Sequence, residues 1–134
     1  MARFFGRFEH SLDIKGRVIL PSRFRTSFET RAFLSQHHEG CLALWTPDDF
    51  EEQIAQRTAA QNAGPEGRKD TRVWSSNVSE VEMDKQGRVP ITPHLRQYAG
   101  LDTAVLVIGA IDHVELWDPS AWATSVERVE QEDQ

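Results

Sequence analysis

The sequence predicts a mixed α+β fold, mainly β, in which two βαβ-type repeats share one core and each repeat ends in an amphipathic helix. Two observations on the residues point to it, and a third follows from size. Glu9-His10-Ser11-Leu12-Asp13-Ile14-Lys15-Gly16-Arg17-Val18 returns 71 residues later as Glu80-Val81-Glu82-Met83-Asp84-Lys85-Gln86-Gly87-Arg88-Val89. After a one-residue slip, Leu42-Ala43-Leu44-Trp45-Thr46-Pro47 returns as Val114-Glu115-Leu116-Trp117-Asp118-Pro119. A unit of about 45 residues buries too little surface to be secure alone, so two copies are expected to close on one another about a pseudo-two-fold axis. The 134 residues suit one compact domain. Its units run over 5–57 and 76–129, with 58–75 as linker or helix end and 130–134 as a frayed tail.

Each unit opens on a predicted hairpin. Arg7–Leu12 partly alternates polar and apolar residues, as a half-buried strand does, and Arg17–Leu20 returns as its partner. Between them Asp13-Ile14-Lys15-Gly16 has Asp at the first turn position, able to accept from its own backbone, and Gly at the last, free to turn left-handed. Asp84-Lys85-Gln86-Gly87 repeats that logic. Pro90 cannot donate to a ladder, which requires an edge or a bulge there and leaves the register of the second hairpin open.

Short helices follow, starting at Pro21 and Pro93, with Phe24 and Phe28 on one face of the first and Leu95 and Tyr98 on one face of the second; Gly100 stops the latter. Strand pairs are expected at Ala32–Leu34 with Cys41–Trp45 and at Ala104–Ile108 with His113–Trp117. Thr46 before Pro47, with Asp49 three residues on, has the form of a capping box, and Asp118 before Pro119 is its counterpart. Phe50 with Ile54, and Trp122 with Val126, then lie on single helix faces.

The net charge of −6 speaks against a nucleic-acid partner until its distribution is examined. Residues 1–35 hold seven basic side chains against three acidic, and 84–98 hold three against one; 112–134 hold one against seven. The basic charge therefore sits in the repeated motifs, and the local field decides anion binding because distant charges are screened. No apolar run reaches the roughly 18 residues of a membrane span. Met1–Gly6 lacks the apolar core of a secretion signal, and Cys41 has no partner for a disulfide, so a cytoplasmic location is expected.

Two Asp-x-x-Gly-Arg turns, each followed by a helix and a Leu-Trp-x-Pro helix start, resemble the MraZ family of bacterial regulators of the division and cell-wall gene cluster. The resemblance covers about Phe5 to Val126. It implies two AbrB-like units forming a swapped-hairpin β-barrel, assembly of chains into a ring, and binding to direct repeats of double-stranded DNA upstream of the target genes, hence a nucleoid association. It places Lys15, Gly16 and Arg17, and Lys85, Gln86, Gly87 and Arg88, at the DNA.

The residue types suit that role. A guanidinium leaving a turn on the first strand residue has a fixed origin and can make paired hydrogen bonds to guanine or phosphate. Lys15 and Lys85 are flexible point charges suited to phosphate. Gly16 and Gly87 admit close backbone approach, and Gln86 offers the donor and acceptor that adenine requires where its counterpart Lys15 does not. Asp13 and Asp84 are expected to organise the turns, since contact with DNA would be repulsive. One such turn alone is most often an ordinary solvated hairpin; two with matching flanks reverse that weighting.

Other residues carry less. Arg23, Arg25 and Arg96 are expected on helix surfaces in solvent. His37-His38-Glu39 suggests a metal cluster, but adjacent strand histidines face opposite ways, so a solvent-facing loop and no metal are expected. Cys41 reads as a small buried residue, and Trp45 and Trp117 as core; Phe4, Phe5 and Phe8 pack the barrel or a subunit contact, and Trp74 has no counterpart. No catalytic triad, zinc-ligand spacing or phosphate loop occurs, so neither an enzyme nor a cofactor or small-molecule substrate is expected. A protein-binding module of antitoxin type remains the alternative, although the acidic tail after Trp122 is short for wrapping a partner.

Overall fold

The structure is a computed structural model and describes residues 2–132. In chain order the elements are β1 (Phe4–Ser11), β2 (Arg17–Ile19), α1 (Ser22–Phe28), β3 (Arg31–Gln36), β4 (Leu42–Trp45), α2 (Pro47–Gln61) and α3 (Pro65–Ser76). The second unit supplies β5 (Ser79–Glu82), β6 (Arg88–Pro90), α4 (Pro93–Ala99), β7 (Ala104–Ile111), β8 (Val114–Trp117) and α5 (Pro119–Glu132). The helix starts follow the capping residues. Thr46 Oγ1 accepts from Asp49 N at 3.2 Å, Thr92 Oγ1 from Leu95 N at 3.4 Å, and Asp118 Oδ2 from Ala121 N at 3.1 Å. Only half of the expected capping box forms, because Asp49 Oδ2 is buried without a hydrogen-bond partner. Gly100 closes α4 in the left-handed conformation, φ 66°.

The two Asp-Gly turns form where expected, and so do the later strand pairs β3 with β4 and β7 with β8, but the hairpins expected to open each unit do not. Strand β1 pairs antiparallel with β7 over eight residues, and β5 pairs with β3, so the first strand of each unit adds to the edge of the other. The short strands after the turns pair with each other, β2 with β6. The ladders make a six-stranded sheet in the order β1-β7-β8-β4-β3-β5 and a two-stranded sheet, without closing a barrel. Inter-unit pairing prevails because it gives β1 a full eight-residue ladder and covers an otherwise open edge.

That order is a palindrome under the repeat, with β1, β2, β3 and β4 corresponding to β5, β6, β7 and β8. The axis can be located by residue. Ala43 stands opposite its own counterpart Glu115, and Val18 opposite Val89. Pro90 costs no ladder bond. Leu20 N donates to Gly87 O and Ile91 N to Gly16 O, both at 3.0 Å; alternation along an antiparallel pair then leaves Arg17 and Pro90 in a non-hydrogen-bonded position.

Burial alternates along the central strands. Leu42, Leu44, Val114 and Leu116 join Val18, Val89, Phe24 and Leu95 in one core drawn from both units. Residues of opposite parity face the long helices. Trp117, Leu106, Ile108 and Cys41 pack with Trp122 of α5, while Ala43 and Trp45 pack with Phe50 and Trp74. Much of the 58–75 segment read as linker is helix: α2 runs to Gln61, and α3 begins at Pro65. Trp74 explains why, since its ring stacks on Phe50 at 5.5 Å and carries Arg57 at 4.8 Å, docking α3 on α2. Ile54, expected on the buried face of α2, is partly exposed. In the tail, α5 continues through Glu132, and residues 133–134 lie outside the described residues.

Candidate nucleic-acid interface

The two turns are built alike, atom by atom. Asp13 Oδ1 accepts from Lys15 N and Arg17 N, each at 2.9 Å, while Gly16 N donates to Asp13 O at 2.9 Å. Its second oxygen, Oδ2, accepts from Arg17 Nε at 2.8 Å. In the other turn Asp84 Oδ1 accepts from Gln86 N at 3.0 Å and Arg88 N at 2.9 Å, and Oδ2 accepts from Arg88 Nε. Each carboxylate thus closes its turn and holds one edge of a guanidinium. The terminal nitrogens are left as a fork at the far end of the side chain.

The turns stand side by side across the axis. Arg17 Nη1 lies 3.9 Å from Asp84 Oδ2, and each glycine carbonyl is held by the strand of the opposite unit. Lys15, Lys85 and Gln86 are exposed; Arg17 and Arg88 are half-buried, and Gly16 and Gly87 are buried. Ile14, at the tip of the first turn, is fully exposed. The structure therefore brings all seven residues expected at the contact surface, with both aspartates, into one place.

Two arginines expected to be merely solvated belong to the same assembly. Arg25 Nε donates to Leu20 O at 2.9 Å, and Arg96 Nη1 to Ile91 O at 2.7 Å. A Cβ at Gly87 would overlap the Arg25 guanidinium, and one at Gly16 would overlap that of Arg96. Each unit's helix arginine is thus laid over the other unit's turn glycine. The signal was present in the sequence, since positions 25 and 96 keep the 71-residue spacing of the turns; what the spacing does not reveal is the crossing between units. His10 lies in the same field: burial, with Arg25 beside it, holds its imidazole below the usual range.

Gly16 and Gly87 have φ of 75° and 78°, where a Cβ costs about 1–2 kcal/mol. Gly16→Ala also displaces Arg96 from Ile91 O, worth roughly 1 kcal/mol. A loss of about 2–3 kcal/mol is expected in urea unfolding. Gly40, at φ 94° with open space around it, provides the control, since Gly40→Ala carries the backbone penalty alone.

Acid should open the turns late. Backbone hydrogen bonds from Arg17 N and Arg88 N, followed by the side-chain bonds from the same arginines, hold the Asp13 and Asp84 carboxyls below their ordinary value of 3.8. A carboxylate depressed on folding stabilises above its unfolded pKa and loses that contribution as pH falls through the folded one. The Nε protons of Arg17 and Arg88 are therefore expected to stay protected by NMR from neutral pH down to about 4, and to lose protection only below it.

Cys41 is buried and burial pushes its thiol up, so it is no nucleophile. Phe4 is core, whereas Phe5 is 60% exposed on β1. Among the described residues, no helix is long and apolar enough to cross a membrane.

A sequence profile of the family described as "MraZ protein, putative antitoxin-like" matches the chain twice, over residues 4–73 and 76–134. The chain belongs to the MraZ family. Its curated relatives include proteins named "Transcriptional regulator MraZ" from Thermomicrobium roseum, 36% identical over 92% of this chain and 87% of the relative, and from a Nocardioides species, 41% identical over 89% and 83%. A third, from Acetivibrio thermocellus, is 37% identical over 89% and 83%. In this MraZ-family chain each of the two matched segments contains one complete Asp-x-x-Gly-Arg turn.

Proposed function

We propose that the chain is a non-catalytic, sequence-specific regulator of transcription that reads double-stranded DNA with its two turns. The supporting observation is the juxtaposition of both arginine forks on one basic surface, set on backbone that the aspartates and the opposite unit hold rigid. Arg17 and Arg88 read base edges, Lys15 and Lys85 meet phosphate, and Gln86 makes the second turn's reading differ from the first. Gly16 and Gly87 give the turns their left-handed corners beneath the Arg96 and Arg25 guanidiniums, and Asp13 and Asp84 aim the arginines. The two units, 5–57 and 76–129, act as one pseudo-symmetric reading head. The exchange of first strands between units supports the swapped-hairpin form of the AbrB-like fold.

One head holds few cations in an acidic chain, so affinity must come from number. A ring of chains engaging direct repeats upstream of the division and cell-wall genes supplies effective concentration, in the cytoplasm at the nucleoid. Footprinting of the purified full-length chain on its own upstream region tests this. Protection of regularly spaced repeats, weakening as salt rises, is expected; uniform protection of any duplex would defeat the sequence-specific reading. A stoichiometric protein partner in place of DNA would favour the antitoxin-type alternative.

A further inference from the structure

On the opposite face of the sheet from the main core lies a polar cluster that the DNA-reading surface does not use. His37, in the β3–β4 turn, was expected to point away from His38 into solvent. Instead the two rings stack at 4.4 Å, and His37 turns inward toward His113 and Glu115. Glu115 Oε2 lies 2.8 Å from His113 Nε2 and 3.7 Å from His37 Nε2. One donor atom from each of the three side chains lies within 4.8 Å of the others. All three are largely shielded, at 12–18% side-chain exposure.

We propose that His37, His113 and Glu115 form a binding site for a divalent first-row transition metal, of which zinc is the chemical type. Two imidazoles and one carboxylate make a three-ligand zinc set that leaves a fourth position for water. The outer contacts are those such a set requires. Asp112 Oδ1 lies 2.7 Å from His113 Nδ1, a carboxylate behind the imidazole, and Trp117 Nε1 donates to Glu115 Oε1 at 2.9 Å. Trp45 stacks on His113 at 4.5 Å and fixes its ring. Two carboxylates match the charge of a divalent cation, and among the described residues neither pairs with Lys or Arg. A cleft of about 550 Å³, bordered by His37, His38, Asp112 and His113, gives entry.

The site breaks the pseudo-symmetry. The counterparts of His113 and Glu115 are Cys41 and Ala43, and Ala43 is the residue facing Glu115 across the axis. Since His37 comes from the first unit and the other two from the second, a bound ion ties the units together beside the central β4–β8 pair. Two protons must move. The one shared between His113 Nε2 and Glu115 Oε2 is released to solvent when an ion takes its place, while His113 Nδ1 keeps its proton toward Asp112. Glu39 N donates to His37 Nδ1 at 3.1 Å, so metal on Nε2 requires the His37 proton to shift to Nδ1 and gives the exposed Glu39 amide to water.

Titration of the chelator-treated full-length chain with zinc chloride, followed by calorimetry, tests the assignment. One zinc per chain is expected, with a rise in Tm on binding. Glu115→Gln, which keeps the side chain's shape, and His37→Gln, in a turn, should each weaken binding by at least about tenfold. His94→Ala, on exposed α4, should bind as wild type. Cobalt substitution should give a low-symmetry visible spectrum that is lost in both variants. Absence of stoichiometric zinc in the wild type, or equal affinity in folded Glu115→Gln and His37→Gln, overturns the site. Neither outcome bears on DNA reading, which involves none of these residues.

Discussion

Arg17→Ala and Arg88→Ala are each expected to abolish specific operator binding while leaving the fold intact. The turn survives because alanine keeps the backbone N–H that donates to Asp13 Oδ1 or Asp84 Oδ1; the Nε bond is lost, and in Arg17→Ala also the 3.9 Å ion pair with Asp84. A paired arginine contact to a base discriminates by about 1–3 kcal/mol, roughly 5- to 150-fold in affinity. An assembly that engages several repeats multiplies that loss, because every head carries the same defect. Gel-shift titration at fixed salt measures it, and wild-type affinity in both variants would remove the arginines from the reading surface. Arg17→Lys separates charge from geometry: it preserves the cation and discards the fork, so recovery by lysine would reduce the role to phosphate attraction. Lys15→Ala, by contrast, should weaken all sequences evenly and flatten the salt dependence.

Phe24→Ala is the substitution expected to cost most in stability, about 3–5 kcal/mol. Its ring is 1% exposed and meets Phe4 and Phe8 edge-on, each at 5.3 Å. Both partners lie on β1, which leaves its own unit to pair with β7. Removing Phe24 opens a cavity and also loosens the strand that joins the units, so the loss should appear as one cooperative transition at lower urea. Domains of this size hold only about 5–15 kcal/mol in all. Two separate transitions, or a shift under about 1 kcal/mol, would mean that β1 is held by its ladder alone.

The candidate surface was largely legible in the sequence because its chemistry is local. Asp at the first turn position, Gly at the last and Arg one residue later define their hydrogen bonds within five residues, and both turns formed as their residue types require. The caps at Thr46 and Asp118 were legible for the same reason. Arg25 and Arg96 were not, because their roles exist only where one unit crosses the other. His37 lies in a loop as expected, but its side chain turns inward onto Glu115 of the other unit, a contact that local sequence does not show. Helix α3 was obscured by its Pro, Gly and polar residues, since only Thr71 and Trp74 are buried to dock it on α2.

From its residues alone this chain declares two copies of one turn and the uneven distribution of its charge. These properties depend on neighbours a few positions apart, which every conformation of the chain shares. Partner choice is different. Whether β1 returns on β2 or crosses to β7 depends on ladders that close only when distant segments meet, and both pairings satisfy the same local pattern. Only the assembled tertiary structure could therefore set the two arginine forks side by side and gather His37, His113 and Glu115 behind them.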